Sequence, residues 1–349
     1  MSPLSSSIDN LVNAQYRSIT KFGELAQLAK LFDAKFIANL AKTFSTNAPP
    51  SKNATRQFEI SFGWIDKRPL AEFTSSNVVD HNGNPVTEKV ELGDLALIHV
   101  EEQGFLANGK FKTQSTLAYS ALIQAKKSAT TSLPMVPVGY GKAKNNSTAK
   151  ELVLLSSWPE FNLYATSGNH SSILQNVKLA GPHAKKYGWY MACPPTAKSW
   201  RSRWMCASAT LSDLCDVSFG ELLEAFVLRS KVKNMHVGEV FTPSNPGINS
   251  STQWDSVSNA ILSLCKKYRL PNHLFSSTPS SVVNSGKILS LFANTPLSLR
   301  GCNYSSCELC YGNWGVIPGM ELWEDDPSWP KITPEGFPVV LIFSRTAEG

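Results

Sequence analysis

The sequence predicts an α+β protein, and three observations carry that prediction. Apolar residues recur at helical spacing over residues 7–44, strand-like alternation follows from residue 58, and helical spacing returns after residue 218. We therefore expect a helical arm at 1–45, a linker at 46–56, a β-rich basic region at 57–207, and a helical region with an irregular, acidic C-terminal tail at 208–349.

The N-terminal arm is predicted to form two amphipathic helices with Gly23 between them. The stretch that follows, STNAPPSKNATR, contains two prolines and small polar residues, which is typical of a linker. Because a helical arm cannot leave its apolar face in water, it must pack on its own chain or on a second copy. We expect the second arrangement, a homo-oligomer that forms through the arm.

The β-rich region begins with an alternating segment. The apolar residues of 58–64 alternate with small or polar residues, as in a half-buried strand, and further strands are predicted within 90–100, 152–155 and 187–190. Ser218 and Glu221 then match a capping box at the start of a helix, and a second helix is predicted over 254–268, ended by Pro271.

The net charge of +6 hides a strongly basic middle of the chain. Residues 103–212 carry 13 Lys/Arg and only two Asp/Glu, a local charge of +11. Nucleic acids favour such a segment, because Lys and Arg release counterions from phosphates whereas carboxylates repel phosphates. The alternative is that Ser, Thr and Asn supply the surface polarity and that the fold mixes these cations with acidic residues of other segments.

Within this region, residues 183–206 combine cations with aromatic rings. The combination suits single-stranded nucleic acid, whose unpaired bases stack on aromatic rings at roughly 1–3 kcal/mol per base. The alternative for each tryptophan is a place in the core. In KSWRSRW, a strand would place Trp200, Ser202 and Trp204 on one face and the two arginines on the other. The predicted nucleic-acid contacts are Lys126, Lys127, Lys185, Lys186, Tyr187, Trp189, Tyr190, Lys198, Trp200, Arg201 and Arg203.

Three cysteines, Cys302, Cys307 and Cys310, stand at the spacing C-x4-C-x2-C. A structural zinc site needs four ligands, and His273 is a better candidate for the fourth than Cys265, which lies on the apolar face of a predicted helix. The alternative is that the three cysteines are reduced thiols without a metal. An odd total of seven cysteines fits reduced thiols better than a disulfide framework.

The sequence contains no complete motif of a known class of enzyme. His99 and Glu101 fit the H-x-E pattern of zinc deaminases, but the second half of that signature is incomplete at Cys307 and Cys310. Lys287 follows a glycine as in a P-loop, yet the earlier glycine and the following Ser/Thr are absent. No G-x-S-x-G or G-x-G-x-x-G motif occurs.

The sequence therefore favours a non-enzymatic protein, without a cofactor, that self-associates through its arm and covers single-stranded RNA or DNA with its basic middle. This layout is similar to that of viral nucleocapsid, coat or movement proteins. One alternative is a zinc-dependent hydrolase or nucleic-acid-modifying enzyme that uses the three cysteines. Another is a scaffold whose basic surface meets acidic partner proteins. With no long apolar run and no pattern of a secretion signal, we expect a cytoplasmic protein that does not span a membrane.

Overall fold

The structure, a computed structural model, combines helices with several sheets, which confirms the α+β class. It describes residues 1–17, 23–32, 34–48, 54–65, 68–107, 110–139, 147–179, 186–197, 200–243, 252–265 and 337–348. The helices are α1 (Pro3–Gln15), α2 (Glu24–Ala29), α3 (Ala34–Asn47), α4 (Ser147–Ser157), α5 (Phe219–Leu228) and α6 (Gln253–Cys265), with a 3-10 turn at Lys30–Phe32. The strands are β1 (Ala54–Ile65), β2 (Leu70–Phe73), β3 (Val90–Glu91), β4 (Leu95–Ala107), β5 (Lys110–Lys127), β6 (Phe161–Tyr164), β7 (Leu174–Val177), β8 (Gly188–Cys193), β9 (Met205–Ser208), β10 (Val217–Ser218), β11 (Lys231–Val232), β12 (Met235–His236), β13 (Glu239–Phe241) and β14 (Phe337–Glu348).

A large mixed sheet organises the chain. Its strand order is β1-β14-β4-β5-β8-β9-β10, and β13 adds to β5 outside this path. β14 pairs antiparallel with β1 and parallel with β4, so the last described strand lies inside the sheet, next to the strand that follows the arm. Strands from both sides of the expected boundary at 207/208 therefore belong to one sheet.

Alternation along the strands gives the large sheet two buried faces. On one face, Leu95 and Leu97 of β4 pack with apolar residues of α1, α2, α3 and α5. On the opposite face, Ala96 and Ile98 pack with α4, α6 and a smaller sheet of order β3-β2-β6-β7. Among the described residues, each face of the large sheet thus contributes to its own apolar core.

The arm buries its apolar residues on its own chain. Ile8 and Val12 of α1 and Phe36 and Phe44 of α3 are buried against the large sheet and α5. The sequence allowed the arm to pack either on its own chain or on a second copy, and in the structure it packs on its own chain. Burial of the arm therefore does not require a second copy, and the expected homo-oligomer stays a prediction.

The structure also corrects local expectations. Residues 152–155 lie in α4 instead of a strand, because a short apolar run does not distinguish a buried helix from a buried strand. Residues 54–56, expected in the linker, belong to β1. The capping box is confirmed, since Ser218 accepts from the backbone N–H of Glu221 and the Glu221 side chain accepts from that of Ser218. None of the described helices is long and apolar enough to cross a bilayer.

Close contact between α1 and α5 depends on Gly220. Its backbone N–H donates to Oδ1 of Asp9 at 2.9 Å, and a Cβ at this position would lie 2.2 Å from the carbonyl oxygen of Ser5. The side chain of Glu224, one turn further along α5, accepts from the backbone N–H of Ser5 at 3.0 Å. The first helix of the arm is thus held at backbone distance from α5.

Gly220→Ala should lower the free energy of unfolding by about 1–3 kcal/mol, because the added methyl group pushes α1 away from α5. Urea denaturation measures this loss. Gly168→Ala is the matched control, since a Cβ there meets nothing within 4 Å. If Gly220→Ala were as stable as the control, α1 would not be docked on α5 in this way.

Candidate nucleic-acid interface

Two of the aromatic residues predicted to stack on bases lie in the core. Trp189 and Tyr190 belong to β8, and both side chains are 0% exposed. Trp189 packs on the helical face of the large sheet and Tyr190 on the opposite face. Because no base can reach either ring, the prediction that they stack on nucleic acid is wrong. The large apolar areas of these rings stabilise the core instead.

Arg203 is also misassigned as a phosphate contact. Its side chain is 0% exposed, with Nε donating to Oε1 of Gln27 at 2.8 Å and Nη1 donating to the carbonyl oxygen of Thr196 at 2.7 Å. The guanidinium carbon lies 5.4 Å from the centre of the Tyr16 ring. Arg203 thus ties the arm to the loop that precedes β9.

The strand expected across KSWRSRW is not formed over its described residues. Residues 200–204 make a series of bends, and β9 begins only at Met205. Ser202, Arg203 and Trp204 are all 0% exposed. The predicted separation of tryptophans and arginines onto opposite faces is therefore wrong, because a bend does not follow the two-residue period of a strand.

Tyr187 and Trp200 are half-buried. The Tyr187 ring stacks on Trp254 with ring centres 4.3 Å apart and planes at 21°. The Nε1–H of Trp200 donates to the carbonyl oxygen of Thr131 at 2.6 Å. Both rings already have protein partners, and their contact with nucleic acid stays a prediction.

The surface cations of this segment are paired with carboxylates. Lys186 forms an ion pair with Glu239, and Arg201 forms one with Glu221. Both carboxylates come from the acidic stretch that follows the basic region. For these residues the fold does mix the cations with acidic residues of another segment, and a phosphate must compete with a carboxylate to reach them.

Lys126 belongs to a buried charge network at the end of β5. Its Nζ lies 2.9 Å from Oε2 of Glu151, and only 9% of the residue is exposed. Asp94 accepts from the backbone N–H of Ala125 at 2.9 Å and lies within 3.4 Å of Arg68. Burial raises the pKa of Asp94 to about 7. The position of Lys126 excludes direct contact with a phosphate backbone, which corrects its assignment.

Lys127, next in sequence, is half-buried, and its backbone N–H donates to Oε2 of Glu24 at 3.0 Å. Its role in binding stays a prediction. Glu24 begins α2, so this contact also joins the arm to the end of β5.

Asp94→Asn should flatten the pH dependence of stability between about pH 4 and pH 7. A buried carboxyl with a raised pKa binds a proton more tightly in the folded state, so stability is full below the ordinary pKa of 3.8 and falls as the pH rises to about 7. Urea unfolding across this range, with Glu160→Gln as a surface control, measures the slope. An unchanged slope in Asp94→Asn would contradict the burial of this carboxyl.

Several predicted site residues lie outside the described residues. They are Lys185 and Lys198 of the basic cluster and the zinc candidates Cys302, Cys307, Cys310 and His273. Among the residues that the structure does describe, no three His, Cys, Asp or Glu side chains are placed to hold a metal ion. Cys193, Cys206 and Cys215 are buried free thiols.

A different surface exposes apolar groups beside cations. β4 and β5 continue as a two-stranded ribbon beyond the helices, flanked on one side by the ends of β14 and β1. We call the helical side of this region, where the described residues named next include several exposed side chains, the distal face. It comprises Arg56, Gln103, Phe105, Lys112, Ser115, Leu117, Val240 and Thr346.

The register of the strands fixes the layout of the distal face. Phe105 pairs with Lys112 directly across the ribbon, and Gln103 pairs with Ser115 on one side and with Thr346 on the other. Paired residues point to the same side of a sheet, so these groups share one surface. Phe105 is 46% exposed, unusually open for a phenylalanine, and Leu117 and Val240 are 37% and 43% exposed.

Two acidic residues of the described strands adjoin the distal face: Glu101, and Glu348, which pairs with Phe105 in the register of β14 and β4. Nη2 of Arg56 lies 2.9 Å from Oε1 of Glu101, which also accepts from Oγ1 of Thr346 at 3.4 Å. The Arg229 guanidinium covers the Tyr119 ring at 3.6 Å, where the helices begin to cover the sheet. Lys112, at the outer end, is exposed. The face can therefore offer an aromatic ring, an exposed ammonium group and neutral hydrogen-bonding groups together.

Sequence reasoning missed the distal face, although two signals were present. Asn108-Gly109 is a strong signal for a tight hairpin, and the structure pairs Ala107 with Lys110 on either side of it. Gln103 and Phe105 stand two residues apart, separated by Gly104, shortly before this turn. After the turn, an irregularity at Gln114 breaks the alternation, which hides the fact that Lys112 and Ser115 share a face.

Comparison of the chain with protein-family models, with curated proteins and with solved structures gives no match.

Proposed function

We propose that the protein binds single-stranded nucleic acid, with RNA as the expected ligand, through the distal face and without catalysing a reaction. The observation that carries the proposal is the exposed Phe105 ring directly across the ribbon from the exposed Lys112. An unpaired base can stack on the ring while the adjoining phosphate meets the ammonium group. The excess of cations in residues 103–212 would add long-range attraction for the same ligand.

The shape of the distal face favours single strands. A sheet face presents rings and polar groups at the spacing of its strands, and bases can reach them only when they are unstacked from a duplex. Leu117 and Val240 add exposed apolar groups nearer the helices, on the other side of the Gln103–Ser115 pair from Phe105. Because every base has a flat face that can stack on an aromatic ring, sequence preference should be slight.

The free edge of the ribbon argues against sheet extension as its main use. Among the described strands, β5 pairs with β8 over 122–127 and with β13 over 118–120, while residues 110–117 pair with β4 alone. This edge carries Lys112, polar side chains and the irregularity at Gln114, all of which discourage pairing with a second sheet. Binding across the face remains available.

Within this proposal, the likeness in layout to viral nucleocapsid, coat or movement proteins suggests packaging or transport of the nucleic acid. Self-association would place several distal faces along one strand and increase avidity. The arm contacts seen within one chain could form equally between two chains if residues 49–53 allowed an exchange.

Phe105→Ala should weaken binding of single-stranded RNA by roughly 5- to 150-fold, the equivalent of about 1–3 kcal/mol for one lost stacking partner. Lys112→Ala should reduce the slope of log affinity against log salt by about 0.7, the value for one phosphate contact on a single strand. Fluorescence anisotropy over a salt series measures both.

Lys178→Ala is the control, because Lys178 is 68% exposed but belongs to the region of the smaller sheet. An equal effect of Lys112→Ala and Lys178→Ala would contradict a local site. A larger effect of Arg201→Ala would place binding at the 183–206 segment instead, and no binding by the parent protein at low salt would favour the scaffold alternative.

Glu101→Gln should strengthen RNA binding at least about threefold, because the substitution releases the half-buried Arg56 from its buried carboxylate partner, and a charge interaction is on the order of 1 kcal/mol even in water. Glu160→Gln removes one carboxylate from the more exposed ion pair with Lys178, away from the distal face, and should change affinity less. Equal gains in the two variants would indicate a general charge effect.

A further inference from the structure

We infer that the distal face selects RNA over DNA by hydrogen bonds between the ribose 2′-hydroxyl and the side chains of Gln103, which donates, and Ser115, which accepts. The inference rests on the proposed function, because it concerns the sugar of a strand already bound at Phe105. It assigns discrimination between ribose and deoxyribose to Gln103 and Ser115, which are both exposed and therefore do not pack in the core.

The two side chains are placed beside the stacking ring. Gln103 is two residues from Phe105 on β4 and on the same face, which corresponds to about 6.6 Å along the strand. Ser115 lies directly across from Gln103, as Lys112 lies across from Phe105. A nucleotide with its base on Phe105 and a phosphate at Lys112 would therefore have a sugar of the same strand close to the Gln103–Ser115 pair.

The hydrogen bonds within the pair leave groups that match a ribose hydroxyl. Oγ of Ser115 donates to Oε1 of Gln103 at 3.3 Å. The Gln103 amide therefore keeps both N–H donors for a ligand, and Oγ of Ser115 keeps its lone pairs as acceptors. The 2′-hydroxyl can accept from the first and donate to the second, whereas deoxyribose can do neither.

Two neighbouring polar side chains, those of Thr346 and Arg56, already have a partner within the protein. Oγ1 of Thr346, the residue on the other side of Gln103, donates to Glu101 at 3.4 Å. Arg56 is paired with the same carboxylate. We therefore expect Gln103 and Ser115 to distinguish ribose from deoxyribose and Lys112 to attract the phosphate.

The expected selectivity is modest. A neutral hydrogen bond contributes a net free energy that corresponds to roughly 2- to 10-fold in affinity, and water can satisfy the exposed amide when the hydroxyl is missing. We therefore expect RNA to bind about 2- to 10-fold more tightly than DNA with the same bases.

The test compares oligouridine with oligodeoxyuridine of about twelve nucleotides, so that only the sugar differs. Both are titrated by fluorescence anisotropy against the full chain and against Gln103→Ala. The expected result is tighter binding of RNA by the parent and a ratio near one in Gln103→Ala, through loss of RNA affinity alone. Gln114→Ala, which removes another exposed amide at the irregularity in the same ribbon, should keep the ratio of the parent.

Each outcome decides the inference. Equal affinity of the parent for the two oligomers, or an unchanged ratio in Gln103→Ala, overturns sugar selection while leaving single-strand binding intact. Failure of both oligomers to bind overturns the proposed function itself. Urea denaturation of Gln103→Ala confirms that a change in the ratio does not come from loss of folding.

Discussion

The pairing of β14 with both β1 and β4 is the constraint on which the rest of the structure depends. Twelve residue pairs join β14 to β1 and ten join it to β4, and both cores of the large sheet include its side chains. Near its end, the buried Arg345 lies 3.0 Å from the buried Glu102 of β4. The two residues are register partners, so their buried ion pair supports this alignment of β14 with β4. The same register brings Arg56, Thr346 and Gln103 into one row and thereby creates the distal face.

The arrangement of ion pairs separates structural cations from those available to a ligand. Lys126 and Arg203 are held inside by several polar partners, and Lys186 and Arg201 face carboxylates at the surface. An exposed ion pair contributes little to stability, about 0–1 kcal/mol, but its carboxylate repels a phosphate that approaches the same cation. Lys112 lies on an exposed face beside an aromatic ring. A high local charge in the sequence therefore does not by itself locate a binding surface.

Local signals in the sequence were sufficient for several elements. The capping box at Ser218, the alternation in β1 and the helical spacing of α6 depend on neighbouring residues, and the structure has all three. The identity of the site depends on non-local contacts. Trp189 is buried because β8 lies inside the sheet and apolar residues of the helices pack on the face that its ring occupies, and the buried Arg203 contacts Gln27 of the arm. Phe105 is exposed because the helices end before the ribbon does. A sequence pattern that repeats every two to four residues cannot predict these exposures, because they depend on contacts between distant parts of the chain.

Photo-crosslinking tests the central claim most directly. A single-stranded RNA that contains photoreactive uridines would be bound to the full chain, irradiated and digested, and the crosslinked peptides would be identified by mass spectrometry. The account predicts crosslinks concentrated in residues 103–117, with Phe105 as the main site. Crosslinks concentrated in residues 183–206, or spread evenly over the basic middle, would contradict it.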